Sequence, residues 1–424
     1  MNKLCLLLTS IAVIASVMST SAGENEITLT ECGAVGDGTT LNTKVIQLAI
    51  DRCTAMGGGT VIVPQGVFLT GAVFLKCGVN LHLDKDSVLR GSTNIADYPE
   101  MQTRIEGHFQ IWVPALINAN GVDHLRIDGD GIIQGGGKIF WDEFLRQRKA
   151  NKETKNLDVK RPRSIFIQDS NDVQLRGISI RDSGFWNLHL FRCQNVLVEK
   201  MDIRTPLGAP STDGIDLDCC QNVTIQDCFI SVDDDNIALK GSKGPSALDE
   251  KAIPPVENIR ISGCTFGLGN ASLTFGSEAT MVRYVVMENC RLTGEDKNCL
   301  LSLKLRPDTE QCYENITVRN IKIDNPRARL ISLAPWTQYF DLQGKPAPSQ
   351  KVSNVTLSEI LGNLSDFGVI KVMGKSTIKN VTFKNIDITL GTPAVVPKNV
   401  EGLKYDNVKI NGVSYAGDQL KIDR

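Results

Sequence analysis

This sequence carries no excess of charge of either sign: 46 Lys and Arg stand against 48 Asp and Glu in 424 residues, a formal net charge of −2. That balance leaves no electrostatic footprint for nucleic acid or for an anionic membrane surface. Histidine is scarce, with four copies (His82, His108, His124, His189) and none after position 189. Cysteine occurs twelve times, yet no CxxC pair or Cys/His cluster has zinc spacing, which speaks against sulfur ligation of a metal. The apolar run near the start is too short and too weakly bounded for a membrane anchor. "MNKLCLLLTSIAVIASVMSTSA" combines an early lysine, that run and small residues ending at Ala22, so residues 1–22 read as a cleaved secretory signal. The mature chain is then expected to begin near Gly23, to be secreted or periplasmic, and to be a monomer.

What the sequence does have is self-similarity. A polar turn followed by x-V-x-I-x-x-C-x-I recurs as "DVQLRGISI" from Asp172, "NVLVEKMDI" from Asn195, "NVTIQDCFI" from Asn222, "NIRISGCTF" from Asn258 and "YVVMENCRL" from Tyr284. It continues from Asn315, Asn354 and Asn380 and, more weakly, from Gly402, with an earlier copy from His124. The starts from Asp172 onward lie 22 to 39 residues apart, the longer intervals holding loop-like insertions such as "KGPSALDEKAIPP". Each copy alternates apolar and polar residues with period 2, the pattern of a short strand with one buried face. Repeated strands without intervening helices imply an all-β, parallel β-solenoid whose stacked coils bury one continuous column of side chains.

The repeated turn asparagine can bond backbone and stack on its equivalents above and below. The N-x-Ser/Thr matches at Asn222, Asn315, Asn354 and Asn380 are therefore read as turn residues rather than glycan acceptors. Cys228, Cys264 and Cys290 share one repeat position, where small buried hydrophobes and disulfides are both open readings. Near the N-terminus the pattern predicts an amphipathic helix over Asn42 to Cys53 that caps the open end of the solenoid. The charged segment "FWDEFLRQRKANKETKNLDVKRPRS" breaks the repeat and is expected as a long loop or lid. "GDGIIQGGG" near residue 130 lacks a following helix or GK[ST], so it is a solenoid corner and not a phosphate loop. One domain over residues 23–424 is expected.

Aligning "STDGIDLD" (211–218) with "VDDDNIALK" (232–240) matches Ile215 to Ile237 and Leu217 to Leu239. Asp213 then shares a row with Asp235, twenty-two residues on, with stacked strands roughly 4.8 Å apart. Two carboxylates at that spacing can hold one water, while Asp234 points elsewhere. Such a trio suits glycosidic bond hydrolysis, one carboxyl protonating the leaving oxygen and another activating water. Crowding by Asp233, Asp235 and Asp213 is expected to favour the proton on Asp234. A solvated acidic turn or a calcium site are the other readings of the same cluster.

The blocks "GAVGDGTTLNT", "RPRSIFIQDSNDVQLRGISIRDSGFWNLHL", "STDGIDLD", "DDDNIALKG", "CTFGLGNASLTFGSE" and "LLSLKLRPDT" resemble glycoside hydrolase family 28, the polygalacturonases and rhamnogalacturonan hydrolases. The resemblance implies a right-handed, single-stranded parallel β-helix and inverting hydrolysis of α-linked galacturonic acid in pectic polysaccharide, without metal or other cofactor. It also implies Asp234 as general acid, with Asp213 and Asp235 as the pair that positions water. Two departures stand out. At the family's Gly-His-Gly histidine the resemblance places Asn270, with Ala271 as the alternative alignment; Asn270 can donate a hydrogen bond but carries no charge. In the Arg-x-Lys block that binds a uronate carboxylate, Ser302 replaces the arginine, Lys304 is kept and Arg306 lies two residues on, either as a helper or as an ordinary surface charge.

Further substrate-binding candidates are Trp186 and His189 on a strand in "GFWNLHL", where an aromatic stacks on sugar or packs in the core. Lys240 either faces the cleft or pairs with Asp218 in the row below, and Glu278 in "FGSE" is placed to bind sugar hydroxyls. Two rivals share the fold: a calcium-dependent lyase that forms an unsaturated uronide, and a non-enzymatic carbohydrate-binding solenoid.

Overall fold

The computed structural model describes residues 25–248, 253–371, 374–392 and 400–415. The leader-like segment 1–22 and part of the insertion at 241–256 lie outside the described residues. Strand after strand pairs in parallel with its equivalents one coil earlier and one coil later, so the chain forms a parallel β-helix. The earlier repeat copies each turn a corner between two strands rather than forming one. "NVTIQDCFI" is split between Gln221–Gln226 and Phe229–Ser231, with Asp227 left-handed at the break (φ 54°). In later coils the halves merge, as in Met281–Thr293 and Gln311–Asp324.

The alternation places Val223, Ile225 and Ile230 inside, in register with Val196, Val198 and Ile203 of the coil before. Each such side chain contributes about 1.5–3 kcal/mol by leaving water, and the coils share a single column of them. Among the described residues every cysteine is a free thiol, which decides for the small-hydrophobe reading of Cys228, Cys264 and Cys290.

The turn asparagines act as read from the sequence. Asn195, Asn222 and Asn258 sit at φ 54°, 55° and 59°, a left-handed conformation that asparagine tolerates better than most residues. Their amides form a ladder: Asn195 Nδ2 donates to Asn171 Oδ1 (2.7 Å), Asn222 to Asn195 (3.3 Å) and Asn258 to Asn222 (3.0 Å). Asn354 and Asn380 continue it from Asn315 at 3.0 Å each. Tyr284 interrupts the series, holding the same conformation (φ 56°) with a side chain that cannot join the ladder.

Helix α1 (Thr43–Ala55) begins one residue later than expected and buries Ile46, Ala49, Ile50 and Cys53 over the first coil. The charged segment expected as a loop or lid is instead helix α2 (Lys138–Ala150), which starts directly after "GDGIIQGGG" where no helix was expected, and a 3₁₀ turn (Asn156–Asp158). Its apolar stripe is narrow, only Phe140, Trp141 and Phe144 being buried, so the charged face dominates its composition. Trp141 Nε1 donates to the Ser183 carbonyl (2.9 Å), and the buried Arg161 guanidinium lies 4.3 Å above the Phe144 ring. An antiparallel hairpin, Met101–Ile105 with His108–Trp112, had no counterpart in the sequence reading. It docks on the ten-stranded sheet through Arg104, fully buried, whose Nε donates to Asp218 Oδ2 at 2.9 Å.

Tyr284→Asn should relieve the left-handed strain and close the ladder gap between Asn258 and Asn315. The expected gain is about 1 kcal/mol, seen as a higher midpoint in urea with an unchanged slope.

Candidate active site

The ten-stranded sheet carries the carboxylates. Its strands Ile215–Asp218, Ile237–Lys240, Leu273–Phe275, Asn298–Leu305 and Ala328–Pro335 stack in that order. Ile215 pairs with Ile237 and Leu217 with Leu239, the register read from the sequence. Gly214 N donates to the Asp235 carbonyl at 2.9 Å, which sets Asp213 directly before Asp235 one coil on. The approach is so close that a Cβ on Gly214 would lie 2.4 Å from the Asn236 carbonyl, so no larger residue fits there.

Beneath this turn runs an inner set of asparagines. Asn187 Nδ2 donates to the carbonyls of Thr212 (3.2 Å) and Asp213 (3.0 Å). Asn236 Nδ2 donates to Leu268 O (2.9 Å), and Asn298 Nδ2 to Asn236 Oδ1 (3.3 Å). These bonds fix the loops from which the aspartates project. One oxygen from each of Asp213, Asp234 and Asp235 lies within 4.8 Å of the others. Asp233 takes no part in that cluster: its carboxylate caps Gly208 N at 3.0 Å.

The three carboxylates differ in their partners. Asp213, 3% exposed, meets Lys240 Nζ at 3.1 Å, and Asp235, 1% exposed, meets Lys304 Nζ at 2.6 Å. Asp234 is half-buried and takes only neutral donors: Asn270 Nδ2 (2.9 Å) and the Asp235 backbone N–H (3.0 Å), both on Oδ1. Burial pushes the Asp213 carboxyl up to about 7, with Lys240 pulling it down and Asp234 and Asp235 raising it further.

Below them lies a buried charge network. Lys240 Nζ sits 3.1 Å from Asp213, 3.4 Å from Asp216 and 3.7 Å from Glu278, over the Trp186 ring at 4.5 Å. Asp216 is fully buried with neither carboxylate oxygen hydrogen-bonded among the described residues, and burial raises it well above the usual carboxylate range. Against the penalty of burial, Lys243, Lys240 and Arg306 hold the Glu278 carboxyl well below that range.

Asp213, Asp234, Asp235, Asn270, Lys240, Glu278, Lys304, Arg306 and Trp186 all line one cavity of about 260 Å³. Two expectations need correction, those for His189 and Arg306, and the open one for Lys240 is decided. His189 is not in the cleft: it is 0% exposed, sealed beneath the hairpin, its Nδ1 2.7 Å from Arg163 Nη1, and burial pushes its pKa down to about 3. Of the two readings of Lys240 the cleft holds: it lines the cavity, and although it is in register with Asp218, Arg104 is the partner of Asp218. Arg306 is neither a free surface charge nor a free helper, being 2% exposed and bidentate with Asp308 (2.9 and 2.8 Å). Trp186 lies just before the strand, 3% exposed, and packs against His189 (ring centroids 4.9 Å) and Phe185 (5.3 Å) with Lys240 over its ring. Glu106, Lys243, Arg148 and Trp336 line the cavity without having been foreseen, since they come from the hairpin, two loops and α2. Asp216 was within the quoted "STDGIDLD" block, and its alternation with Ile215 and Leu217 was the available signal.

The chain is similar to known proteins in sequence and in fold. A probable polygalacturonase from Vitis vinifera is 32% identical over 52% of this chain, which spans 45% of that relative. An endo-polygalacturonase from Pectobacterium carotovorum is 28% identical, over 82% of this chain and 84% of its own length. Among solved structures, an exopolygalacturonase from Thermotoga maritima has the same fold, with a TM-score of 0.74 at 23% identity over 92% of this chain and 93% of that one. Residues 53–414 match the family model for glycosyl hydrolases family 28, and this chain, a polygalacturonase-like hydrolase, belongs to that family.

Proposed function

We propose that the protein hydrolyses α-linked galacturonic acid bonds in pectic polysaccharide with inversion. Asp234 gives its proton to the glycosidic oxygen as the bond to the anomeric carbon breaks. Asp213 and Asp235 hold the attacking water and take its proton, so one proton has crossed the site when the new hydroxyl has formed. The observation that carries these roles is the division of partners: each base has a lysine ammonium at 2.6 or 3.1 Å, which favours the ionised form. Asp234 has amide donors alone, Asn270 standing where the family places histidine. Polygalacturonase names among the relatives support the substrate class. The leader-like residues 1–22 support export to the periplasm or beyond.

The selected oxygens of the three carboxylates lie within 4.8 Å of one another, which is a bound on their closest approach and not the separation of the carboxyl groups that divides inverting from retaining enzymes. The anomeric configuration of the first product, followed by NMR during hydrolysis, separates inversion from retention: β from an α-linkage supports inversion, α supports retention. A rise in near-ultraviolet absorbance that chelator abolishes would mean a lyase and would sink both.

Asp234→Asn should lower the release of reducing ends from polygalacturonate by about 10²–10⁴-fold with the thermal melt unchanged. Near-normal turnover would remove Asp234 from the acid role. Because Asp213 must be ionised to act as base and is raised to about 7, kcat/KM should fall as pH drops through that value. Lys240 lowers the Asp213 carboxyl, so in Lys240→Met the same limb should move to higher pH, as measured by a pH–rate profile on folded variant.

A further inference from the structure

The hairpin over residues 101–112 turns at Glu106 and Gly107, both in the left-handed region (φ 43° and 80°). Its tip is pressed against the turn that follows strand Ile237–Lys240: a Cβ on Gly107 would lie 2.9 Å from the Gly241 carbonyl and 3.2 Å from Glu278 Cβ. Arg104 fixes it there, its buried Nη2 donating to Ser242 Oγ (3.1 Å), one residue before Lys243. Arg163 holds the same strand through the Thr103 hydroxyl (2.9 Å) and the Arg104 carbonyl (2.8 Å). None of these bonds uses the Glu106 side chain.

What the tip delivers is a charge. Glu106 Oε2 meets Lys243 Nζ at 3.2 Å, and Lys243 lies 3.6 Å from Glu278 Oε1. The other oxygen of Glu278 lies 3.7 Å from Lys240 Nζ, which reaches Asp213 at 3.1 Å. Glu278 thus bridges the two lysines with one oxygen each, and charges of alternating sign run from the hairpin to the carboxylate trio. All five side chains are 15% exposed or less, so water and salt screen the series weakly. The other charges acting on Asp213 are Asp216 on the strand that follows it, Asp234 and Asp235 one coil on, Lys304 from strand Asn298–Leu305, and Arg161 from the segment after α2. Of these, Arg161 also interacts with Glu106, and none belongs to the hairpin.

We propose that Glu106 is a positioning residue for the base: through Lys243 and Glu278 it governs how far Lys240 leans on Asp213, and with it the readiness of Asp213 to take a proton from water. Its effect on turnover rests on the reading of Asp213 as a base, whereas the series itself is tested by titrating Asp213 directly. The signs alternate along it. Without the Glu106 charge, Lys243 goes wholly to Glu278 and Lys240 to Asp213, which then ionises more easily. Without Lys243, Glu278 turns to Lys240 and Asp213 ionises less easily.

The test follows Asp213 by carbon NMR in protein labelled at its aspartate carboxyls, with Asp213→Asn to assign the signal. Glu106→Gln should move the titration midpoint down by about half a pH unit, and Lys243→Met should move it up by about the same amount. Lys243→Gln is a second neutral replacement should the methionine variant not fold. Because Glu106 acts through Lys243, the double variant should match Lys243→Met rather than return to the wild-type midpoint. A midpoint unmoved in Glu106→Gln, shifts of one sign in both variants, as from a merely loosened hairpin, or a double variant at the wild-type value would each overturn the proposal. The low-pH limb of kcat/KM on polygalacturonate should move with the NMR midpoint in every variant. A limb that stays in place while the midpoint moves leaves the charge series standing and removes Asp213 from the base role.

Discussion

In-register parallel stacking is the constraint on which the rest of this structure depends. Because every coil must bury its apolar side chains on those of the coil below, the register cannot slip without exposing the column. The same lock that places Ile237 on Ile215 also places Asp235 beyond Asp213. Two carboxylates that would repel in solution are thus held together by hydrophobic burial elsewhere in the same rows. The Asn ladders reinforce this at the corners, and Gly214 allows the backbones to approach closely enough for the carboxylates to share one site.

Holding acids together in a dry place is costly, and the neighbouring charges show how the cost is offset. Lys240 and Lys304 enter from strands in different coils and each neutralises one of the paired aspartates. Glu278 and Asp216 then crowd Lys240, so the ammonium is shared among three acids rather than owned by one. Removing a single member of such a set leaves its partners unpaired in low dielectric, which is more damaging than the net worth of any one contact. Asp234, outside this arrangement and half-buried, is left with neutral donors, and the asymmetry between it and its neighbours follows directly from which coil supplies a lysine.

Much of this was legible in the residues. The period-2 repeat, the turn asparagines and the Ile215/Ile237 alignment depend on local pattern, and the solenoid turns local pattern into contact by simple stacking. The same logic failed where elements leave the solenoid. Helix α2 read as a loop because only three of its side chains are buried and its charged face dominates the composition. The hairpin around Glu106 gave no signal, and without it His189 looked like a cleft residue when it is sealed against Arg163.

The sequence by itself determined the coil, its register and the meeting of Asp213 with Asp235, since each follows from periodicity and burial. Only the tertiary structure decided how the charges divide: Asp218 to Arg104, Lys240 to Asp213, Asp216 and Glu278, and Arg306 to Asp308. Long cationic side chains reach across coils and into excursions such as the hairpin. Their partners are set by distances in space that no linear spacing encodes.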